Sequence, residues 1–521
     1  MPEFNLLDEK WIECINSSGN HREIGIRELI TQAHLMKQLA NPIPLVNASV
    51  FFLLETILIR ALSLAGVPLD DYDKWFNGFK AGIFDAGILD DYFQKWYPRF
   101  YLFDQFYPFL QTDIEGQNFT GTAMKLMPHY SGGTGGNSAT LFDQHTLQEG
   151  ISLSIKQAAN YLLAAHQYGA GGRIIGSDYF SESLPANGLS FFVEGENLFE
   201  TLYLNILPYP DLVDLDLPTK SGDCPIWERD DPYEVGERNA IVDGKNKSYK
   251  PLGLLDLLTW PGRKIQLLLG EDHYVNEIKM RDGIKMIGQT FPWYAYNQKG
   301  FDLRTRLDHA VWRDYAVLLQ FREMVSGEDD KSRSPYPVQW LHELKKEEYL
   351  FDHPFRLIAL GMSKEAGKQK VSFYSEQRLP LPQEYLINKD LVADIANQLK
   401  LAETVQGSLY ATMMTFAEVL LSFNVDKKNG RKPDPNDKRN LVDHLGAQRI
   451  YWGELGNAFS ALINNLPDDR EKAILQWKTS IRNSARVAFD QAVSLAGESI
   501  HVLKAAAIAR RLLEAGLKKN L

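Results

Sequence analysis

Apolar residues recur in two rhythms along this chain, and the rhythm changes before its last third. Between 4 and 30, short apolar pieces sit among polar neighbours. Trp11 and Ile12 are flanked this way, and Ser17, Ser18, Gly19 and Asn20 form a turn, so short strands and turns are expected. After Pro42 and Pro44 a dense apolar run predicts a helix over 46–65. Glu55 and Arg60, with Thr56 and Ser63, interrupt that run, so it reads as a buried helix. A membrane span would need roughly 20 predominantly apolar residues. Residues 72–109 are rich in aromatic side chains and predict core or a domain contact.

A glycine-rich stretch over 129–147 reads as a loop, because its glycines lose much entropy on ordering. Leu153, Ala158, Leu162 and Ala165 then fit a helix that stops at Gly169, and a second cluster follows, Tyr168-Gly-Ala-Gly-Gly-Arg173-Ile-Ile-Gly176. Strand-like pieces occupy 264–269 and 274–280, and residues 354–364 lead into a polar, basic segment over 364–370. The texture changes near Pro380-Leu-Pro382. Beyond it the period is helical, broken only by the polar stretch 427–440. In the last helix Val493, Ala496, Ile500, Leu503 and Ala507 have the spacing of a bundle seam. The expected fold is therefore α+β: a large mixed α/β N-terminal domain over 1–380, then a C-terminal antiparallel four-helix bundle over 381–521.

A length of 521 residues supports two or three domains, and 44% hydrophobic with 24% charged residues excludes a largely disordered chain. The net charge of −11 means that any nucleic-acid contact must be made through a local basic patch. Cys14 and Cys224, the only two cysteines, cannot build a disulfide framework or a four-cysteine zinc site. No secretory signal is visible in the opening residues, so a cytoplasmic protein without membrane contact is expected.

Searches for reactive chemistry mostly exclude it. Neither glycine cluster carries the lysine of a phosphate-binding P-loop, and position 174 is isoleucine where a dinucleotide fingerprint starting at Gly169 needs glycine. The second cluster also follows a helix, whereas a phosphate loop precedes one. His342-Glu343 lacks the second histidine of a zinc-protease helix, and no nucleophile elbow is present. Asp143 and His145 could in principle form an acid–base pair, although adjacent polar residues in a loop are usually solvated, and the rival reading is a standalone metal-dependent nuclease or hydrolase built on them. The expectation is a binding protein, with no catalytic residue, no metal and no cofactor. Arg173 and Lys285 lie beside glycines that allow close backbone approach. Lys427, Lys428, Arg431, Lys432, Lys438 and Arg439 outnumber Asp434 and Asp437, which suits either a phosphate footprint or a solvated inter-helix loop.

The opening Phe4-Asn-Leu-Leu-Asp-Glu-Lys-Trp-Ile12 resembles the start of the CasA family, the large subunit of the type I-E CRISPR surveillance complex Cascade. Glu13 and Cys14 stand where the family usually continues with Pro-Val. Further features follow in family order: Pro108-Phe-Leu-Gln111, the glycine-rich loop with Phe142, the helix leading to Gly169-Ala-Gly-Gly172, and the helical last third. The resemblance implies a non-catalytic subunit that reads the protospacer-adjacent motif (PAM) on double-stranded DNA from the minor groove and helps open the duplex for R-loop formation. Such a division of labour leaves the remaining sequence to base pairing.

Carried onto this chain, the resemblance implies a glycine loop at Gly169, Gly171 and Gly172, with Arg173 adding a phosphate contact. It implies a lysine finger at Lys285, with Lys279 the alternative, and a wedge at Gln369 between Lys368 and Lys370. Phe142 and Asn137 lie in the element that docks on the guide RNA and neighbouring subunits. The implied partners are the crRNA-containing complex (its backbone, small and 5′-end-capping subunits), the target duplex and a nuclease-helicase. The helical bundle would contact the small subunits and the displaced strand, and the basic stretch 427–439 becomes a candidate for strand contact.

Overall fold

The computed structural model describes the chain except for residues 1–2, 129–149, 174–178, 181, 210–216, 218, 232, 234–240, 244–245, 288–289, 322–329, 352, 365–370 and 423–432. It is mixed α and β, as the sequence pattern predicts. Two compact units emerge: Met1–Leu307 with Gln320–Arg378, and Asp308–Leu319 with Leu379–Leu521. The expected contiguous division near 380 therefore needs one amendment. Residues 308–319 belong with the helices, because Trp312 stacks on Phe459 at 4.8 Å between centroids and Arg313 pairs with Glu403 at 2.6 Å.

The larger unit opens with the strands Ile12–Asn16 and His21–Ile24, whose hairpin turn carries Gly19 at φ 83, and Met36–Leu39 pairs on the other side. Pro44 then starts the helix Pro44–Leu64, where a missing N–H costs nothing. This helix is buried nearly all round. Its mean hydropathy of 1.8 would suit a membrane span by length and composition, yet 83% of that window lies inside the fold. Phe52 meets Phe192, Phe291 and Trp293 at centroid distances of 5.3, 5.5 and 5.1 Å. Each such aromatic pair adds roughly 0.5–1.5 kcal/mol beyond area burial.

The two charged interruptions of that helix fare differently. Arg60 reaches Glu228 through two nitrogens, at 3.0 and 2.6 Å, and Tyr92 donates to the same carboxylate at 3.0 Å. Glu55 is fully buried and neither of its oxygens is hydrogen-bonded, so desolvation pushes its pKa well up and favours the neutral acid.

Strand Ser190–Glu194 pairs antiparallel with Phe355–Lys364, which neighbours Val371–Leu381 in the same sheet. Arg263–Leu269 and Tyr274–Asp282 form an antiparallel hairpin close to the two predicted strands. The alternation of Arg263, Ile265 and Leu267, all buried, points one face of that hairpin into the core.

In the smaller unit, the long helices Lys389–Ser422, Ala447–Asn465, Arg470–Leu495 and Ile500–Asn520 alternate in direction. Asp394 and Gln398, near the start of the first, meet Arg470 and Trp477 near the start of the third. A shorter helix, Pro435–Leu445, is present as well, so the unit holds more than a plain four-helix set. Residues 435–440, expected as part of a polar break, are helical because Asp434 accepts from the Asn436 N–H and caps them.

The expected seam of the last helix is corrected. Gly497 at φ 99 ends one helix, and Ser499 caps the next by accepting from the Val502 N–H at 3.3 Å. The buried seam is Val502, Ala505, Ala509, Leu513 and Leu517. Ile500 and Leu503 instead stand 63% and 59% exposed, joined by Leu495, Ile508 and Leu512 on the outside.

Candidate nucleic-acid interface

The glycine segment that begins at Gly169 is set up by the helix Ile155–Tyr168. Ser154 and Gln157 satisfy each other's backbone N–H groups in a capping box, which fixes where this helix starts. Ala158, Leu162, Ala165 and Tyr168 are buried along its inner side, which fixes its rotation. It therefore delivers Gly169 to a set position. The Gly169 carbonyl accepts from the Ser183 N–H at 3.1 Å. Gly172 and Arg173 then pair antiparallel with Phe180 and Tyr179, which makes a small two-stranded hairpin of these four residues.

Gly169 has φ −62, which any residue adopts, so the backbone does not demand glycine there. Space does. A Cβ on Gly169 would overlap the guanidinium of Arg263. Gly169 and Gly171 are both buried, so in this chain they pack against the fold.

Arg263 is only 4% exposed, and its burial pulls the guanidinium down to about 10. Its carbonyl accepts from the Tyr233 hydroxyl at 3.1 Å, which anchors its backbone beneath the glycines. Pattern reading passes over this residue. The signal was present, since an arginine at an inward position of an otherwise apolar alternation has to be accounted for.

His166 sits one turn before the glycines and donates from Nε2 to the Leu110 carbonyl at 2.9 Å. Burial pushes its imidazole from the ordinary 6.5 down to about 4. The unfolded chain takes up this proton near 6.5 and the folded chain only near 4, so the associated stability is whole above 6.5 and drains away as the pH falls. By pH 5 the loss is about 2 kcal/mol. Unfolding free energies from urea titrations at pH 7.5 and pH 5 are expected to differ less in His166→Gln than in the parent by that amount. An equal acid sensitivity in both proteins would contradict this account.

Lys285 begins the short strand Lys285–Met286, which runs parallel to Asn246–Tyr249 with Ser248 opposite Lys285. The Ile284 carbonyl just before it accepts from Trp260 Nε1 at 2.9 Å. Trp260 in turn stacks on Tyr249 at 4.1 Å, and Tyr249 donates to the buried carboxylate of Asp256. That carboxylate is paired with Arg229 at 2.8 Å, so the platform behind Lys285 is stiff. Lys285 itself is exposed, and no carboxylate pairs with it among the described residues.

Lys279, the alternative finger, is half-buried and donates from Nζ to the Ile114 carbonyl at 2.8 Å. It already has a structural task.

Arg263 links the two candidate elements. Its side chain lies against Gly169, while its backbone pairs with Asp282, three residues before Lys285. Gly283 makes this junction possible, because a Cβ there would stand 2.8 Å from the Gly262 carbonyl carbon. The hairpin's outer face adds charge. Lys264 and Arg281 stand directly opposite each other, lying over the rings of Tyr233 and Phe119 at 4.4 and 5.0 Å. Arg281 also lies 3.8 Å from the Asp282 carboxylate, which offsets part of the repulsion between the two cations.

Lys368, Gln369 and Lys370 lie outside the described residues, as do Phe142, Asn137, Asp143, His145, Lys427, Lys428, Arg431 and Lys432. The strands flanking 365–370 are neighbours in one sheet. Lys438 is tied to Glu418 at 3.0 Å, whereas Arg439 is exposed on its helix.

Comparison with known proteins completes the picture. The family described as CRISPR-associated protein Cse1 matches residues 5–488. The CRISPR-associated protein CasA/Cse1 of Thermus thermophilus is 29% identical over 517 residues, covering 97% of this chain and 96% of the relative. A solved structure of Thermus thermophilus CasA superimposes with a TM-score of 0.79 at 24% identity, over 100% of both chains. One chain of a structure described as a CRISPR RNA-guided surveillance complex superimposes with a TM-score of 0.70 at 17% identity, over 98% of this chain and 100% of that one. With a family match running from residue 5 to residue 488, this chain belongs to the CRISPR-associated Cse1, or CasA, family.

Proposed function

We propose that this protein is the non-catalytic large subunit of a type I-E CRISPR surveillance complex, and that it reads the PAM from the minor groove of target DNA. The observation that carries the reading is the junction at Arg263, whose side chain lies against Gly169 while its backbone pairs with Asp282, three residues before the stiffly backed Lys285. Family membership and the fold shared with a chain of a surveillance complex supply the setting.

In this reading Lys285 donates to the N3 and O2 acceptors of the minor groove. Lys264, Arg281 and Arg173 hold the phosphates around it. The connection 365–370 supplies the wedge: Gln369 enters the opened base step while Lys368 and Lys370 hold the separated strands. The loop with Phe142 and Asn137 docks on the guide RNA and the backbone subunits. The helical unit, with Leu503, Ile508 and Leu512 facing outward, contacts the small subunits, and Arg439 with the 427–432 segment tracks the displaced strand. A nuclease-helicase is then recruited to the opened duplex.

The test is strand opening by the complex assembled with and without this chain, read by permanganate reactivity on duplexes that carry or lack a PAM. Opening is expected only with both the chain and the PAM, and binding is expected to weaken steeply between 50 and 200 mM salt. Equal opening without the chain would refute the proposal. Mg²⁺-dependent cutting by the chain alone, lost in His145→Ala, would establish the nuclease reading instead.

A further inference from the structure

The larger unit holds a group of ligating side chains that the DNA-reading function does not use. Strand Ser190–Glu194 ends in the turn 195–197 before the helix Leu198–Tyr203, and its partner strand Phe355–Lys364 starts just after His353. Glu196, Glu200 and His353 converge there, with one ligand atom from each lying within 4.8 Å of the other two. His353 Nε2 stands 3.1 Å from Glu200 Oε2 and 3.6 Å from Glu196 Oε1.

Those separations have a meaning. A tetrahedral zinc ion with bonds of about 2.0–2.1 Å holds its ligand atoms roughly 3.3–3.4 Å apart. The two measured edges bracket that value. A single carboxylate would be enough to pair one imidazole. Two of them around the same nitrogen bring like charges together, which a bound cation offsets.

The local sequence builds this arrangement deliberately. The Glu196 backbone N–H donates to Glu200 Oε2 at 2.6 Å and orients that carboxylate from behind. A Cβ at position 195 would overlap the Glu200 side chain and stand 2.8 Å from Oε2, so only glycine lets Glu200 fold back over the turn. On the other side Phe355 packs against the His353 ring at 5.8 Å. The Glu196 side chain is 62% exposed, leaving an entry path from solvent.

We propose that Glu196, Glu200 and His353 form a binding site for one divalent transition-metal ion, Zn²⁺ foremost. One imidazole and two carboxylates suit zinc, whereas calcium and magnesium require six or more oxygens. The donor set differs wholly from the four-cysteine site that this sequence lacks. Its role is structural: the ion fastens the turn after one strand to the residue that precedes the neighbouring strand.

The experiment uses the full chain, free of any affinity tag and stripped by chelator. Zn²⁺ is titrated in competition with a chromophoric chelator, and Co²⁺ is followed by its visible absorption. One equivalent should bind, with the intense bands of four-coordinate cobalt. Glu196→Gln, at an exposed position, and His353→Gln should each weaken binding by about tenfold or more, with unchanged circular dichroism. Failure of the parent protein to bind below millimolar Zn²⁺ would overturn the proposal. So would equal binding by Glu196→Gln, which would move the metal elsewhere, for instance to Cys14 or Cys224.

Discussion

Gly169→Leu is expected to lose at least about 3 kcal/mol of stability, because the new side chain must displace a buried guanidinium and not a flexible tip. Arg263 cannot swing away to solvent without leaving the 4% exposed position that its anchored backbone dictates. Urea or thermal unfolding of the full chain reads this loss directly. A double-mutant cycle with Gly169→Ala and Arg263→Ala sharpens the attribution. The two changes should be non-additive by more than about 1 kcal/mol, since removing the guanidinium frees the space that the methyl needs. Strict additivity, or a Gly169→Leu protein as stable as the parent, would show that the close approach is not what glycine serves here. In the assembled complex the same variant should lose PAM discrimination, because the close packing of Gly169 against Arg263 is gone.

The second large effect concerns Lys285. Lys285→Ala is expected to reduce opening of PAM-bearing duplexes about tenfold, the cost of one good groove contact of about 1–3 kcal/mol, while assembly and stability stay unchanged. Lys279→Ala should do the reverse. It forfeits a hydrogen bond to the Ile114 carbonyl, costs about 1 kcal/mol of stability, and leaves the choice of PAM alone. Lys264→Ala is the phosphate control: binding should weaken alike for all sequences, and the salt dependence should lose about one unit of slope. If Lys279→Ala abolished discrimination and Lys285→Ala did not, the finger would have been assigned to the wrong strand.

Much of the fold was legible because local patterning decided it. The strands over 263–282 alternate cleanly, and the helix Pro44–Leu64 has a proline start and a dense apolar run that no strand could use. The last helix shows where patterning fails. Ile500, Leu503 and Ala507 repeat as regularly as Val502, Ala505 and Ala509, so periodicity cannot choose between the two stripes. Alanine fits either side. Gly497 and Ser499 were the signals that should have split the helix and rotated the choice.

The site was legible only in part, and for a different reason. Gly169 and Lys285 could be singled out as residue types that suit a groove, but their connection runs through Arg263, whose pairing with Asp282 and approach to Gly169 are tertiary facts. Residues 308–319 illustrate the same limit. Trp312 and Tyr315 read as ordinary apolar positions, yet they pack with Phe459 and Tyr385, far along the chain.

Glu55 has a consequence outside the finished fold. Before Phe192, Phe291 and Trp293 have been synthesised, the segment Pro44–Leu64 emerges from the ribosome with a mean hydropathy of 1.8 and nothing to pack against. An ionised side chain in the middle of such a segment raises the cost of entering lipid by on the order of 3 kcal/mol. Glu55 stands near its midpoint, with Arg60 beyond. The carboxyl that burdens the folded core thus weights the nascent segment against the bilayer until its own aromatic neighbours arrive.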